Sequence, residues 1–171
     1  MLVYKDAFTG DEVCSDAMKN LHEEENGLLL VCDSYNISKG GEDYGIEVNN
    51  DEDEEGGGGG ADNAVEQVNI VVESFGLQPF PISKKDFQVT IKRYSKRVKD
   101  YLEKNQPDRV EKFMEGMKSW LPKMLKEFDD YEFYMSKSCD PDAGLIMSKY
   151  QGEAVYPTFY YIKDGLVEEK F

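Results

Sequence analysis

Three groups of side chains in this 171-residue chain have types and spacings that could do chemistry. The densest lies between Glu42 and Asp62, where Glu42, Asp43, Glu47, the run Asp51 to Glu55, and Asp62 stand with no Lys, Arg or His among them. Carboxylate oxygens at this density are hard ligands of the kind calcium takes. Against the calcium-loop pattern D-x-[DN]-x-[DN]-G-x5-E, Asp51, Asp53 and Gly56 match. Glu55 stands where Asp or Asn is expected, Asp62 replaces the bidentate Glu, and Gly57 to Gly60 with Ala61 fill the positions between. The segment is therefore not an EF-hand. Two readings stand: weak, diffuse calcium binding with no assignable metal ligands, and a solvated spacer. Mutually repelling carboxylates and the run Gly56 to Gly60 cannot offset roughly 1–2 kcal/mol per residue of backbone ordering. A disordered acidic loop over 40–63 is the expectation.

The second group is cationic. From Lys84 to Lys104 the chain carries Lys84, Lys85, Lys92, Arg93, Lys96, Arg97, Lys99 and Lys104 against Asp86, Asp100 and Glu103, a local net charge of +5 in a chain of −15. Such asymmetry suits an acidic protein surface, and equally an ordinary solvated helix face. The interleaved Phe87, Tyr94 and Tyr101 are read as core, not as a base-stacking platform.

The third group is Cys14 with His22, the only histidine. A thiol and an imidazole can serve as nucleophile and base, but only when a third group orients the pair, and none is evident. Cys14, Cys32 and Cys139 form no CxxC pair, which gives no zinc site and fits a reducing, cytoplasmic setting. No phosphate-cradling, nucleophile-elbow or zinc-protease motif occurs. The expectation is a protein that is not an enzyme and has no obligatory cofactor.

These groups need a frame. Leu2–Tyr4 and Gly27–Cys32 read as short strands joined by the polar stretch Ser15–Asn26. Val65–Phe75, rich in β-branched residues, reads as a strand, although its length also allows a helix. Ser83-Lys-Lys-Asp86 resembles a capping box, and Phe87, Ile91, Tyr94, Val98 and either Tyr101 or Leu102 follow at helical spacing. Pro107 suits the first turn of a second helix. That helix is marked by Val110, Phe113, Met114, Met117, Leu121, Leu125 and Phe128, with Trp120 beside the stripe and Pro122 expected to kink it or loosen its hydrogen bonding. Two stripes with a short connection give an antiparallel hairpin over 83–128. From Tyr131 the period falls to two: Tyr131–Met135, Gly144–Tyr150 and Val155–Ile162 read as strands, with Asp164-Gly165 as a hairpin turn before Leu166-Val167. The sum is one α+β domain over 1–171, β-rich with an inserted helical hairpin.

The charge of −15 opposes binding to nucleic acid or an anionic membrane. No apolar run approaches the roughly 20 residues of a membrane span. The opening Met1-Leu-Val-Tyr-Lys-Asp is too soon charged for a signal peptide.

The residues also carry a family resemblance across the whole chain. Leu2-Val-Tyr-Lys-Asp, Asp11-Glu12-Val-Cys-Ser15-Asp16, the acidic loop, the Lys/Tyr-rich helix, Gln106-Pro-Asp-Arg-Val-Glu-Lys-Phe-Met114 and the closing Lys163-Asp-Gly-Leu166 with Glu168-Glu-Lys170 follow in the order of the translationally controlled tumour protein family. The resemblance implies a β-tent with a projecting hairpin, similar to a small Rab-binding chaperone but without that protein's zinc cysteines. It implies calcium binding, tubulin and microtubule association, contact with Rheb-type small GTPases through nucleotide exchange or chaperone-like action, and other regulatory partners. Growth and survival roles, and nonclassical secretion beside a cytoplasmic residence, belong to the same implication. The family's GTPase-contact residue corresponds to Glu12. Its tubulin-associated region covers the hairpin, which makes Lys84, Lys85, Lys92, Arg93, Lys96, Arg97 and Lys99 the candidate partner-binding residues. Two departures stand out. The family's Gly-Gly-Asn-x-Ser-x-Glu loop signature is absent, and Ser136-Lys137 replaces a usual Gly-Glu. Phe171 stands where some relatives have a disulfide-forming cysteine, so a monomer is expected.

Overall fold

The computed structural model describes residues 1–39 and 66–171. The expected acidic loop at 40–63 lies outside the described residues. Eleven strands form among those described: β1 (Leu2–Asp6), β2 (Glu12–Ser15), β3 (His22–Glu24), β4 (Leu29–Asp33), β5 (Asn36–Lys39), β6 (Glu66–Asn69), β7 (Gln78–Pro79), β8 (Tyr131–Met135), β9 (Ile146–Lys149), β10 (Thr158–Ile162) and β11 (Leu166–Lys170). They pair antiparallel into a three-stranded sheet β11-β1-β2, a six-stranded sheet β3-β4-β10-β9-β8-β7 and the ribbon β5-β6.

The six-stranded sheet is the middle layer, which explains why its central strands are apolar on both faces. Along β4, Leu29 and Val31 face one cluster while Leu30 and Cys32 face another. Along β10, Tyr160 and Ile162 alternate with Phe159 and Tyr161 in the same way. Side chains on a strand point to opposite faces in turn, so a strand covered on both sides must be apolar at every position. One face meets the helical hairpin. The other meets Tyr4, Val13 and Cys14 of the three-stranded sheet.

The hairpin comprises α2 (Lys84–Asn105) and α3 (Val110–Lys126), joined by a 3-10 turn at Pro107–Arg109. Ser83 caps α2: its Oγ accepts the Asp86 N–H at 3.1 Å, which forms the serine half of the expected box. The stripe Phe87, Ile91, Tyr94, Val98 and Leu102 is buried as its spacing implies. On α3 the buried side is Phe113, Met117, Trp120 and Met124, whereas Met114 is exposed and Leu121 and Leu125 are only half-buried. The sequence stripe was therefore wider than the face that reaches the sheet. The helix continues through Pro122. A proline there frees the carbonyl four residues back, that of Lys118, and Lys118 is exposed to water that can satisfy it.

Three expectations need correction. Val65–Phe75 is not one strand. Strand β6 ends at Asn69, and α1 (Ile70–Phe75) follows. The Asn69 side chain accepts from the N–H groups of Val71 and Val72, and Gly76 closes the helix in the left-handed conformation (φ 65°). Two caps outweigh β-branched propensity over six residues. Second, Ser15–Asn26 is not only a connector, because β3 forms within it as an edge strand on β4. Third, Asp164-Gly165 does not close a hairpin. It lies in a 3-10 turn, Lys163–Gly165, from which the chain leaves the six-stranded sheet and enters the three-stranded one as β11 beside β1.

Candidate functional site

The basic residues of α2 lie on the face opposite its apolar stripe, away from the sheet on which the hairpin packs. Lys84, Lys85, Lys92 and Lys96 are exposed and Lys99 is half-buried. Among the described residues, none of these five lysines forms an ion pair. The two arginines behave differently. Arg93 Nε lies 3.3 Å from Asp142 Oδ1. Arg97 donates from Nη1 to the Asp142 carbonyl at 2.7 Å and stacks over Phe8, 4.2 Å from the ring centroid. Phe8 meets Tyr94 and Tyr101 edge-on at 6.0 and 5.8 Å. Arginine's planar head suits this double use, hydrogen bonding in plane and stacking across it. Arg93 and Arg97 therefore hold the Asp140–Asp142 turn and the loop after β1 against α2. The seven sequence candidates divide into four exposed lysines, a half-buried Lys99 and two arginines engaged within the fold.

Glu12 sits at the exposed start of β2, the edge strand of the three-stranded sheet. Its pairing partner across the sheet is Lys5, which also forms an ion pair with Glu169. The backbone before Glu12 is fixed by its neighbour. Asp11 Oδ2 accepts from Ser136 Oγ and from the Ser138 N–H, both at 2.8 Å, and Oδ1 accepts from Ser138 Oγ at 2.9 Å. Ser136 is buried and is half of the Ser136-Lys137 departure noted in the sequence, so that change carries a structural bond to Asp11. The Lys137 stem lies against Gly76. Sequence reasoning missed this Asp11 anchor, since nothing local signals a bond spanning 125 residues.

Cys14 and His22 do not form a dyad. The His22 ring contacts the Asn20 carbonyl at Nδ1 (2.7 Å) and Glu24 at Nε2 (2.8 Å). The Cys14 Sγ donates weakly to the Ser15 carbonyl at 3.8 Å, and Cys14 and Cys32 are fully buried beside Tyr161. Donation of its S–H to the Cys14 sulfur, together with burial, pushes the Cys32 thiol well above its ordinary range, so it stays protonated at neutral pH. Among the described residues, no group of three or more His, Cys, Asp or Glu could hold a metal ion, and the carboxylates of 42–62 lie outside those residues. No helix of the described residues is long and apolar enough to cross a membrane.

The family model of the translationally controlled tumour protein matches residues 1–167. The chain belongs to the translationally controlled tumour protein family. A homologue from Theileria annulata is 42% identical over 175 residues, and one from Plasmodium chabaudi chabaudi is 40% identical over 175; each alignment covers all of both chains. The solved structure of the translationally controlled tumour-associated protein p23fyp from Schizosaccharomyces pombe superimposes with a TM-score of 0.80 at 36% identity, again over the whole of both chains. The β-tent with its helical hairpin is thus the fold of this family member, as the residue order implied.

Proposed function

We propose that this protein is a regulatory binding protein, not a catalyst of bond-making chemistry, and that the lysine face of α2 is its principal docking surface for acidic segments such as tubulin tails. One observation carries the reading: five lysines without ion pairs among the described residues line the outer side of one helix in a strongly acidic protein. The acidic remainder repels other anionic surfaces, so only a partner that reaches the hairpin alone gains from those charges. Exposed ionic contacts of this kind are individually weak and salt-sensitive, which suits transient, multiple partnerships.

Co-sedimentation with microtubules tests it. The variant should be Lys85→Glu, Lys92→Glu and Lys96→Glu together, leaving Arg93 and Arg97 in their structural roles. The wild type pellets at low salt and the triple variant stays in the supernatant. Equal pelleting of the two removes the lysine face from the account.

A second reading rests on Glu12, an exposed carboxylate on an edge strand whose approach is pinned by Asp11. In this reading the Glu12 carboxylate acts electrostatically on a bound nucleotide or its magnesium ion on a Rheb-type GTPase. Nucleotide release is measured with the wild type and with Glu12→Ala. Acceleration by the wild type alone supports this reading, and no acceleration by the wild type ends it.

A further inference from the structure

On its solvent side the hairpin is not only basic. Between α2 and α3 runs an open groove of about 1130 Å³. Its floor is apolar: Val89 is 58% exposed, Met114 is 39% exposed, and Leu121 and Leu125 lie half-buried beside them. Its flanks carry Lys92 and Lys96 from α2 and Lys118 from α3, with Glu115 as the only acidic residue lining it among the described residues. The α3 residues follow helical logic. Met114, Lys118, Leu121 and Leu125 recur at spacings of four, three and four, so one stripe of the helix faces outward while Phe113, Met117, Trp120 and Met124 face the sheet. The apolar stripe of α3 is thus wider than its buried side, and its outer edge floors the groove, with Leu121 and Leu125 also packed against the core.

We infer that this groove docks an acidic amphipathic helix of another protein, with apolar anchors at i, i+3 or i+4 and i+7 set on the floor and Asp or Glu flanks meeting the lysines. The inference rests on the hairpin being the docking face, and it adds the kind of segment that binds there. Two antiparallel helices leave between them the channel that a third helix fills, which is the helix-in-groove mode of recognition. Charge selects the occupant. Three lysines against one glutamate favour acidic flanks, and the exposed Met114 thioether adapts to different anchors. A second copy of the chain would bring the same lysines against each other across a two-fold axis. An anionic membrane would meet the net charge of −15 carried by the whole protein.

The test uses fluorescence anisotropy with a labelled synthetic peptide of about 18 residues, five helical turns. The peptide carries leucines at i, i+3, i+4 and i+7 and glutamates elsewhere. A second peptide has the same composition in scrambled order. Both are titrated with the wild type and with Val89→Gln, Leu121→Gln, whose folding is checked by the near-ultraviolet signal of Trp120. The patterned peptide is expected to bind the wild type about tenfold or more tighter than the scrambled one. The double variant is expected to bind both peptides with the same weak affinity. Equal binding of the two peptides by the wild type, or a preference that survives in the folded double variant, overturns the inference. Vesicles containing phosphatidylserine are run in parallel. Binding to them that is lost in the double variant would put a membrane in the groove and overturn it as well. The lysine-face reading fails separately, when microtubule pelleting survives Lys85→Glu, Lys92→Glu and Lys96→Glu.

Discussion

Arg109 grips Asp164 through two parallel hydrogen bonds, Nε to Oδ1 at 2.9 Å and Nη2 to Oδ2 at 2.8 Å. Arg109 closes the turn between the two hairpin helices. Asp164 lies in the turn where the chain passes from one sheet to the other. This pair, with Tyr94 packed against Gly165, ties the hairpin to the junction of the sheets. The Asp164 side chain is nearly buried, and the Arg109 guanidinium beside it is held even more firmly protonated than usual. Removing Arg109 leaves a nearly buried Asp164 without its ion-pair partner. Arg109→Ala should lower unfolding free energy by about 2–4 kcal/mol, and Arg109→Met with Asp164→Leu should recover much of it. Urea denaturation measures both. Singles within about 0.5 kcal/mol of the wild type would contradict the role given to this pair.

Next to that turn, Gly165 is glycine because Tyr94 leaves no room: a methyl group there would overlap the Tyr94 hydroxyl. Gly165→Ala is expected to cost about 1–3 kcal/mol by overpacking. Adding Tyr94→Phe removes the colliding atom and should restore part of the loss. A double variant no more stable than Gly165→Ala alone would show that the strain lies elsewhere.

The Asp11 anchor makes part of the stability acid-sensitive. Burial alone would raise the Asp11 carboxyl, but hydrogen bonds from the Ser138 N–H and from the Ser136, Ser138 and Thr9 side chains more than offset it, and the net shift is downward from 3.8. A depressed folded-state value means that the contribution is present above the unfolded value and is lost as pH falls through the folded one. Denaturation midpoints measured from neutral pH down through about pH 3 should fall less steeply for Asp11→Asn than for the wild type. Parallel curves would deny the anchor its role.

His22 carries the opposite sign. The Asn20 carbonyl and then the Glu24 carboxylate favour its charged ring, which raises it above 6.5. Its contribution is complete below the unfolded value and is lost as pH rises through the folded one, and it is small because the ring is exposed. As the sole histidine, it gives one imidazole signal in an NMR titration. The midpoint should lie above 6.5 and move down in Glu24→Gln. A wild-type midpoint at or below 6.5 contradicts these contacts.

The hairpin could be read from the sequence because both of its helices announce themselves locally: Ser83 as a cap, Phe87 to Leu102 at helical spacing, Pro107 at a break. Strand β8 could be read for the same reason, by its alternation, and β10 as a short run of aromatic and β-branched residues. What escaped was decided at a distance or by competing signals. Helix α1 hid behind Ile70, Val71 and Val72, whose strand preference is overridden by Asn69 and Gly76. Asp164-Gly165 reads locally as a hairpin turn, yet the partner of β11 is β1 at the other end of the chain, which no local pattern reports. The basic residues were legible as a cluster. Their division was not, because only the fold brings Asp142 and Phe8 to Arg93 and Arg97, and the groove beside them depends on how far α3 rotates its stripe out of the core.

The lysine face carries the proposed function, and tubulin tails are its proposed counterpart. The most direct measurement is co-sedimentation of the wild-type protein with intact microtubules and with microtubules whose acidic C-terminal tails have been removed by limited proteolysis, at low and at physiological salt. Binding should be strong only to intact microtubules, should weaken with salt, and should vanish in Lys85→Glu, Lys92→Glu, Lys96→Glu. Undiminished binding to tail-less microtubules by the wild type would contradict it.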